Sequence, residues 1–289
     1  MWTRMAAGLM VLTLAGGAAG CRGQGEGGDA RAVSVVATFH PLAEFARGIG
    51  GVRVAVRTLV PPGVEPHNYE PAPRDLAALE RAQLFVYNGA GLEPWVERVL
   101  PDLPARVVRV NASVRIVPHG RDPHVWLDPA LAALQVEAIR AGLVEADPVG
   151  RVLYDVRAAA LQVELEALRA RYAEVLAGCR RREFVTSHAA FGYLAARFGL
   201  REVPISGVEP EAEPSPARLR EIIAFVRTSG TTVIYAEPLT SDRVVQAVAR
   251  ETGAQVMVLD PLEGQTAAGY VMVMSENLDR LAEGLDCRR

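Results

Sequence analysis

Short apolar runs alternate with stretches of helical periodicity in the first part of the chain. Runs typical of buried strands lie at 33–39, 54–60, 84–87 and 106–110, and helical patterns lie at 41–49, 74–82 and 93–100. Strands that alternate with helices form βα units. This part of the sequence therefore predicts a mainly parallel sheet with helices packed on it.

The middle of the chain carries one long helical pattern. Asp147 and Pro148 are typical of a helix start, apolar residues then recur at helical spacing up to Ala177, and Gly178 is a suitable stop. About thirty residues at about 1.5 Å per residue make a rod of roughly 45 Å. A rod of this length between two halves predicts a rigid connector, and we expect only small movements of the halves around it.

The alternation of strands and helices then restarts. Strand patterns lie at 183–187, 203–208, 232–236 and 255–259, and helical patterns lie at 189–198, 217–228, 242–252 and 270–285. The sequence therefore predicts an α/β protein with two Rossmann-like βα lobes, whose mainly parallel sheets are joined by one long rigid helix. We expect the N-terminal lobe at 32–146, the connecting helix at 147–178 and the C-terminal lobe at 179–289.

The N-terminus has the features of an export signal. Arg4 precedes an apolar stretch at 5–15 that is too short to span a bilayer, and three small residues lead to Cys21. Small residues before a cysteine resemble a lipobox, so we expect a signal peptide at 1–20, lipidation of Cys21 and a flexible Gly-rich tether at 21–31. The protein would then be exported and lipid-anchored to the bacterial membrane in the cell envelope, facing the periplasm or the exterior. The alternative is an ordinary cleaved signal in which Cys21 has no role.

The net charge limits the classes of binding partner, and the cysteines raise the question of a disulfide. The 289 residues are 50% hydrophobic and carry a formal net charge of −3, so the chain lacks the basic excess of nucleic-acid-binding proteins. Two further cysteines, Cys179 and Cys287, would meet an oxidising compartment after export. A disulfide between them would tie the start of the second half to the C-terminus, and two free thiols are the alternative.

Three of the five histidines, together with one aspartate, carry the candidate metal chemistry. His67 lies in a turn-rich loop after a strand pattern, His124 lies before a helix, and His188 ends a strand pattern, as Asp260 does later. Open α/β sheets bind ligands at the carboxyl ends of their strands. Three imidazoles and one carboxylate are a suitable tetrahedral set for Zn²⁺. The spacings are too wide for a local motif, so spacing by itself does not identify the site.

Six short motifs in the chain resemble those of one protein family. They are Pro-Gly-x-x-Pro-His67, Asp-Pro-His124-x-Trp-Leu-Asp-Pro, Ser-His188-x-Ala-Phe-Gly-Tyr, Glu213-Pro-Ser-Pro, Tyr235-Ala-Glu-Pro and Leu-Asp260-Pro. Together they are similar to the zinc- and manganese-binding solute-binding proteins of ABC importers, the ZnuA/TroA type. The similarity extends over nearly the whole chain after the N-terminal segment.

The resemblance implies two lobes joined by a long helix, with the metal ion in the cleft between them. His67 and His124 would be ligands from the first lobe, and His188 and Asp260 ligands from the second. It also implies high-affinity capture of a divalent ion, Zn(II) in the first place, and delivery to an ABC-type membrane permease. We expect a monomer that is not an enzyme.

Departures from the family pattern bear on the choice of metal. Manganese-binding members tend to have a carboxylate where His188 stands, and nitrogen suits Zn²⁺ whereas oxygen suits Mn²⁺. Asp260 would supply one hard oxygen ligand, so binding of Mn(II) or of a broad range of divalent metals is the alternative. Zinc-binding members often have a His-rich loop before the second ligand. Only His119 stands there, either as a remnant that hands metal inward or as a solvated residue.

Other polar residues near these motifs have less defined roles. His40 is expected to be a packing residue, with metal contact as the alternative. Glu209, Glu211 and Glu213 form an acidic loop that is either solvated or a docking surface for the permease. Glu237 follows a strand pattern and is expected to border the cleft as a partner of a ligating histidine.

Two functions of other classes stay open. Three histidines can hold a catalytic zinc with an open water position, as in zinc hydrolases. Against this, Asp260 would close the shell, and the sequence has no His-Glu-x-x-His, no Gly-x-Ser-x-Gly and no phosphate-cradling glycine loop. Some members of the resembled family are surface adhesins, so cell adhesion is open as a second role.

Overall fold

The computed structural model describes residues 32–264 and 266–288. The predicted signal peptide at 1–20, the predicted lipidation of Cys21 and the tether at 21–31 lie outside the described residues. From Ala32 onward the chain forms one compact unit. Within the described ranges, every helix is too short or too polar to cross a membrane.

Four parallel strands form the first sheet. They are β1 (Val33–Ala37), β2 (Val54–Thr58), β3 (Leu84–Tyr87) and β4 (Val108–Asn111), in the order β2-β1-β3-β4. Val35 of β1 pairs with Leu84 of β3, and Leu84 pairs in turn with Val108 of β4. The central strands β1 and β3 are almost wholly buried, as expected for a parallel sheet covered on both faces.

Helices connect these strands and cover the sheet. They are α1 (His40–Gly50), α2 (Pro73–Arg81) and α3 (Val96–Val99). In α1 the side chains of Leu42, Phe45 and Ile49 are buried. Their spacing places them on one face of the helix, so α1 packs by that face against the core.

The second sheet has the same plan. Its strands are β5 (Glu183–Thr186), β6 (Arg201–Pro204), β7 (Val233–Ala236) and β8 (Gln255–Val258), in the order β6-β5-β7-β8 and all parallel. Its helices are α6 (Gly192–Arg197), α7 (Pro216–Ser229), α8 (Arg243–Thr252) and α9 (Tyr270–Gly284). The prediction of two α/β lobes with parallel sheets is therefore confirmed.

Two long helices lie between the sheets in sequence, α4 (Pro129–Ala146) and α5 (Arg151–Ala177). Asp128 caps α4 by accepting a hydrogen bond of 2.9 Å from the amide of Ala130. The 27 residues of α5 form the predicted long helix, preceded by a short 3-10 turn at Pro148–Gly150. At about 1.5 Å per residue, α5 is roughly 40 Å long.

The long helix α5 is packed along its length rather than standing free. It lies against α1 and α4 of the first half and against α9 of the second. Near its C-terminal end, the buried hydroxyl of Tyr172 donates a hydrogen bond of 2.6 Å to the carbonyl of Met274 in α9. Beyond that end, Cys179 is joined to Cys287 by a disulfide. The two contacts tie the C-terminal end of the connector to α9 and to the residues that follow α9.

A second set of contacts joins the halves close to the predicted metal ligands. The indole of Trp126 donates to the carbonyl of Pro261 at 2.7 Å, and the hydroxyl of Tyr270 donates to the carbonyl of Trp126 at 2.6 Å. The carboxylate of Glu44 in α1 accepts from the amide of Tyr270 at 2.6 Å. The loop between β8 and α9 is therefore fastened to the first half at both of its ends.

Of the predicted elements whose bounds differ in the structure, two lie next to His188. The strand expected at 203–208 is β6 at Arg201–Pro204, because the chain leaves the sheet after Ile205 donates to the carbonyl of Thr186 at 2.8 Å. The helix expected at 189–198 begins only at Gly192. The residues before Gly192 form a turn in which the hydroxyl of Thr186 donates to the carbonyl of His188 at 2.8 Å. This turn sets the position of His188.

Candidate metal centre

The three predicted histidines stand on three separate loops. His67 lies in a single 3-10 turn, Pro66–Asn68, in which the side chain of Glu65 accepts a hydrogen bond from the amide of His67. His124 directly precedes another 3-10 turn, Val125–Leu127, and His188 follows β5. His67 and His188 come from loops after the strands β2 and β5, at the carboxyl ends of the two sheets, where open α/β folds bind ligands.

These loops bring the Nε2 atoms of the three histidines together. The distance from His67 Nε2 to His124 Nε2 is 3.1 Å, and that from His188 Nε2 to His124 Nε2 is 3.3 Å. The Oε1 atom of Glu263 lies 3.0 Å from His124 Nε2 and 3.3 Å from His67 Nε2. In all, one donor atom from each of the four residues lies within 4.8 Å of the other three.

The spacing of these donors suits a tetrahedral metal ion. Ligand arms of about 2.0 Å around Zn²⁺ place neighbouring donors about 3.3 Å apart. The side chains are almost wholly removed from solvent, at 4% exposure for His67, 1% for Glu263 and 0% for His124 and His188. Burying four polar groups that point at one another is costly unless an ion or protons occupy the space between them.

The fourth member of this cluster corrects the sequence prediction. Asp260 was expected there, but its Oδ1 atom accepts a hydrogen bond of 2.7 Å from the amide of Leu262. Its own amide and carbonyl are held by the side chain of Asn277, at 3.0 and 2.7 Å. Asp260 thus builds the turn, and Glu263, three residues later, extends into the cluster.

A signal for this correction is present in the sequence. Asp260 directly precedes a proline, and an aspartate at the start of a turn commonly binds the backbone amide two residues on. A carboxylate engaged in that way is a poor candidate for a ligand. Glu263 was the next carboxylate along the chain and was missed.

In two of the three histidines, a carboxylate accepts a hydrogen bond from Nδ1, the ring nitrogen that does not face the cluster. Asp122 Oδ1 accepts from His124 Nδ1 at 2.7 Å, and Glu237 Oε2 accepts from His188 Nδ1 at 2.5 Å. Glu237 also accepts from the amide of His188 and the hydroxyl of Ser187. A proton on Nδ1 leaves the Nε2 lone pair free to face the cluster, which is the usual way that proteins orient metal-binding histidines. The sequence anticipated Glu237 in this role, whereas Asp122 was missed.

Charges and hydrogen bonds within the cluster shift the pKa values of two of its members. Burial lowers the pKa of His124, but its hydrogen bonds with Asp122 and Glu263 outweigh this and raise the pKa to about 10. Burial raises the pKa of Glu263, but hydrogen bonds from His124 and His67 outweigh this and hold the pKa below its ordinary value. In the absence of a metal ion, a proton on His124 therefore balances Glu263, and an incoming cation must displace that proton.

The remaining candidate residues lie outside the cluster. The amide of His119 donates to the hydroxyl of Tyr193 at 2.8 Å, and His119 itself is exposed. His40 is buried in α1, with its Nε2 atom 3.4 Å from the carboxylate of Glu44. Of the acidic loop, Glu209 comes nearest, with its Oε2 atom 3.9 Å from His67 Nδ1.

The chain matches a known protein family. A family model, ZnuA, described as zinc-uptake complex component A, periplasmic, matches residues 35–284. The chain is also 36% identical over 277 residues to the high-affinity zinc uptake system protein ZnuA of Bacillus subtilis (strain 168), with 87% of each chain covered. It is 35% identical over 280 residues to the zinc-binding lipoprotein AdcA of Streptococcus pneumoniae serotype 4, covering 88% of this chain but 56% of AdcA.

Solved structures give the same picture. The Zn(II)-bound ZnuA-like domain of Streptococcus pneumoniae AdcA has 37% identity and a TM-score of 0.80, covering 88% of this chain and 99% of that domain. The laminin-binding protein Lmb of Streptococcus agalactiae, a bifunctional protein with adhesin and metal transporting activity, has 35% identity and a TM-score of 0.83, covering 88% of this chain and 100% of Lmb. The family match over residues 35–284 therefore spans both sheets and the part of the chain that carries the cluster.

Proposed function

Since the chain belongs to the family of periplasmic zinc-uptake components, we propose that it captures one Zn²⁺ ion with high affinity and delivers it to the membrane permease of an ABC importer. The ion is cargo and not a cofactor. The relatives are solute-binding proteins and not enzymes, so the zinc-hydrolase alternative is set aside.

The observation that carries this proposal is the convergence of His67, His124, His188 and Glu263 on one point. Three nitrogen atoms and one oxygen atom at tetrahedral spacing are a suitable closed shell for zinc. A shell with four protein ligands holds an ion without leaving a position for a catalytic water. That composition supports binding rather than catalysis.

The same donors favour zinc over manganese. Imidazole nitrogen suits Zn²⁺, whereas Mn²⁺ prefers oxygen ligands and higher coordination numbers. The cluster has only Glu263 as an oxygen donor, and His188 supplies nitrogen where a second carboxylate would suit manganese. We propose a clear preference for zinc, with manganese as a weak competitor.

The cellular setting follows from the family and the N-terminal sequence together. We propose export to the cell envelope, a lipid anchor on Cys21 and action as a monomer beside the permease. The packed connector α5 and the contacts of Trp126 with Pro261 and Tyr270 support small movements of the lobes on metal binding.

A competition titration tests the proposed function. The purified protein and its His188→Ala variant are titrated with Zn²⁺ in the presence and absence of Mn²⁺. We expect one equivalent of zinc to bind tightly to the wild type, to resist manganese and to bind far more weakly to the variant. Equal competition by manganese would show a general divalent carrier, and binding of neither metal would refute the site.

Adhesion is a second candidate function, favoured by the similarity to Lmb over nearly the whole length of that protein. The test is binding of the metal-free and the zinc-loaded protein to immobilised laminin. Saturable binding that a serum albumin control lacks would support adhesion, and the absence of binding in both forms would remove it.

A further inference from the structure

A buried asparagine from the first sheet contacts the loop that carries His124. Asn88 directly follows β3, and 0% of its surface is exposed. Its Nδ2 atom donates a hydrogen bond of 2.9 Å to the carbonyl of Pro123, the residue before His124. A second hydrogen bond, of 3.1 Å, runs from Nδ2 to the carbonyl of Gly89. Both N–H groups of the carboxamide are therefore paired, and one of them is committed to the ligand loop.

The carbonyl of Pro123 lies in the turn that gives His124 its backbone conformation. It also accepts a hydrogen bond of 2.9 Å from the amide of Val125. A bond from residue i to residue i+2 closes a γ-turn around the residue between them, and the φ of −81° and ψ of 44° at His124 are close to the inverse form of that turn. Asn88 therefore holds the acceptor of the turn on which the direction of the His124 side chain depends.

The other flank of His124 is held by its own loop. Asp122 Oδ1 accepts from the amide of His124 at 2.9 Å and from its Nδ1 atom at 2.7 Å. Asp122 thus holds the amide and the ring of His124, whereas Asn88 holds the carbonyl that precedes them. The contact from Asn88 is the one that comes from a strand end and not from the loop itself.

Asn88 is in turn fixed to regular elements of the first half. Gln135 of α4 donates from Nε2 to Asn88 Oδ1 at 2.8 Å. The amide of Asn88 donates to Oε1 of buried Glu93 at 2.8 Å, and the hydroxyl of Thr38, just after β1, donates to the same atom at 2.6 Å. Groups held by strands and helices fix a ligand more precisely than a loop does. The network therefore gives the His124 loop a rigid support.

A role in the local turn alone does not account for this side chain. An asparagine that only builds a turn bonds the backbone two residues further on. The carboxamide of Asn88 instead bonds Pro123 and Gln135, which lie 35 and 47 positions away in the sequence. Its main long-range contact is with the residue that precedes a metal-cluster histidine.

We propose that Asn88 is a positioning residue for zinc binding, which acts through the Pro123 carbonyl to fix the backbone of His124 before the ion arrives. The inference rests on the proposed function, since it takes His124 to be a zinc ligand. Without this hydrogen bond, part of the ordering of His124 has to take place on binding, and the affinity falls.

A double-mutant cycle tests whether Asn88 acts through His124. Zinc affinity is measured against chelators of graded strength in the wild type, Asn88→Ala, His124→Ala and the double variant. Asn88→Ala should lower the affinity about tenfold, the lower end of the typical cost of losing a supporting group at a metal site. In the His124→Ala background the same change should cost less than about twofold, because the two effects are coupled.

Two further variants separate positioning from stability. Asn88→Asp keeps the shape of the side chain and replaces the donor with an oxygen, so it should weaken zinc binding at least as much as Asn88→Ala without opening a cavity. Tyr154→Phe removes a hydrogen bond of 2.6 Å from a buried tyrosine to Asp147, outside the loops of the cluster. It should lower the melting temperature of the metal-free protein and leave zinc affinity unchanged.

The visible absorption spectrum of the Co²⁺-loaded protein reports ligand geometry independently of stability. At saturating Co²⁺, Asn88→Ala should change the position or intensity of the absorption bands, whereas Tyr154→Phe should match the wild type. A spectrum of Asn88→Ala equal to that of the wild type would count against positioning.

Two results of the cycle would overturn the inference. One is wild-type zinc affinity in both Asn88→Ala and Asn88→Asp, and the other is an equal loss from Asn88→Ala with and without His124. A wild type that binds no zinc, or a His124→Ala variant that binds it as tightly as the wild type, would refute the proposed site itself. The failure of the inference is therefore distinguishable from the failure of the proposed function.

Discussion

The two sides of the metal cluster are built differently. On one side, His124 and His188 are fully buried, and each has a close carboxylate on Nδ1, at 2.7 and 2.5 Å. On the other side, the carboxylate near the Nδ1 atom of His67 within the described part of the chain is that of Glu209, at 3.9 Å, and the Glu209 side chain is 62% exposed. His67 and Glu209 also line a cavity of about 510 Å³.

The difference explains how one site can bind a metal ion tightly and still release it. Carboxylate-held imidazoles are fixed before the ion arrives, so little ordering is needed on binding. The nearest carboxylate on the His67 side is the exposed Glu209, and His67 borders a cavity, so we expect the ion to enter and leave on that side. We call His124 and His188, with Asp122 and Glu237, the fixed side, and His67 with Glu209 the open side.

The largest expected effect comes from removing a ligand on the fixed side. His124→Ala should lower zinc affinity by more than about 100-fold, because even supporting residues of metal sites are worth roughly 10–100-fold. His67→Ala should lose less, since water can enter from the open side and fill the vacant position. Titration against a zinc chelator measures both. Exposed His119→Ala serves as the control, and equal losses in the two ligand variants would erase the distinction between the sides.

The next effect separates the two acidic candidates of the second lobe. Glu263→Gln should weaken zinc binding by about 100-fold, at the upper end of the same range, because a neutral amide replaces the charged ligand. Asp260→Asn keeps an oxygen that can accept from the amide of Leu262, so its loss should be much smaller. The same chelator titration compares them. A larger loss in Asp260→Asn than in Glu263→Gln would restore Asp260 as the ligand.

A smaller effect is expected when the carboxylates that accept hydrogen bonds from the histidine Nδ1 atoms are replaced. Asp122→Asn and Glu237→Gln should each lower zinc affinity roughly 10–100-fold, because an amide orients the imidazole less firmly. Glu209→Gln, on the open side, should stay close to the wild type. Thermal unfolding of the metal-free variants checks that the fold is intact. A loss in Glu209→Gln equal to those on the fixed side would contradict the comparison.

The smallest effect is the pH dependence of binding. His124, with its pKa raised to about 10, is protonated at neutral pH in the metal-free protein, and zinc must displace that proton. Affinity should therefore rise with pH, by about tenfold per unit for one displaced proton between pH 7 and 8.5. Calorimetric titration in two buffers that bind zinc weakly and differ in ionisation enthalpy counts the protons released on zinc binding. Release of no proton at pH 7.5 would contradict the charge balance between His124 and Glu263.

Much of the fold could be predicted from periodicity, because strand and helix patterns depend on local sequence. The long helix α5 was predicted from Asp147 to Gly178, and most strands lie within a few residues of their predicted bounds. The helix α6 was predicted three residues too early, because the alanines after His188 favour a helix locally. Tertiary hydrogen bonds, such as that from the amide of Ala189 to the carbonyl of Gly207, hold those residues in a turn instead.

The candidate site was predictable in part for a different physical reason. His67, His124 and His188 stand in recognisable motifs, and strand ends meet at one edge of a sheet. The choice between Asp260 and Glu263 depends on a turn of three residues, in which Leu262 adopts a φ of 59°. The start of that turn at Asp260 and Pro261 can be read from the sequence, but left-handed backbone at a non-glycine residue such as Leu262 has no clear sequence signature. The partnership of Asp122 with His124 likewise depends on loop geometry.

The central claim is that His67, His124, His188 and Glu263 together hold one zinc ion. A crystal structure of the zinc-loaded protein, with data collected on both sides of the zinc edge, tests this most directly. We predict one strong anomalous peak about 2.0–2.2 Å from three Nε2 atoms and one Glu263 oxygen, in tetrahedral geometry. A strong peak coordinated by Asp260 instead of Glu263, or one that lies away from the histidines, would contradict the account.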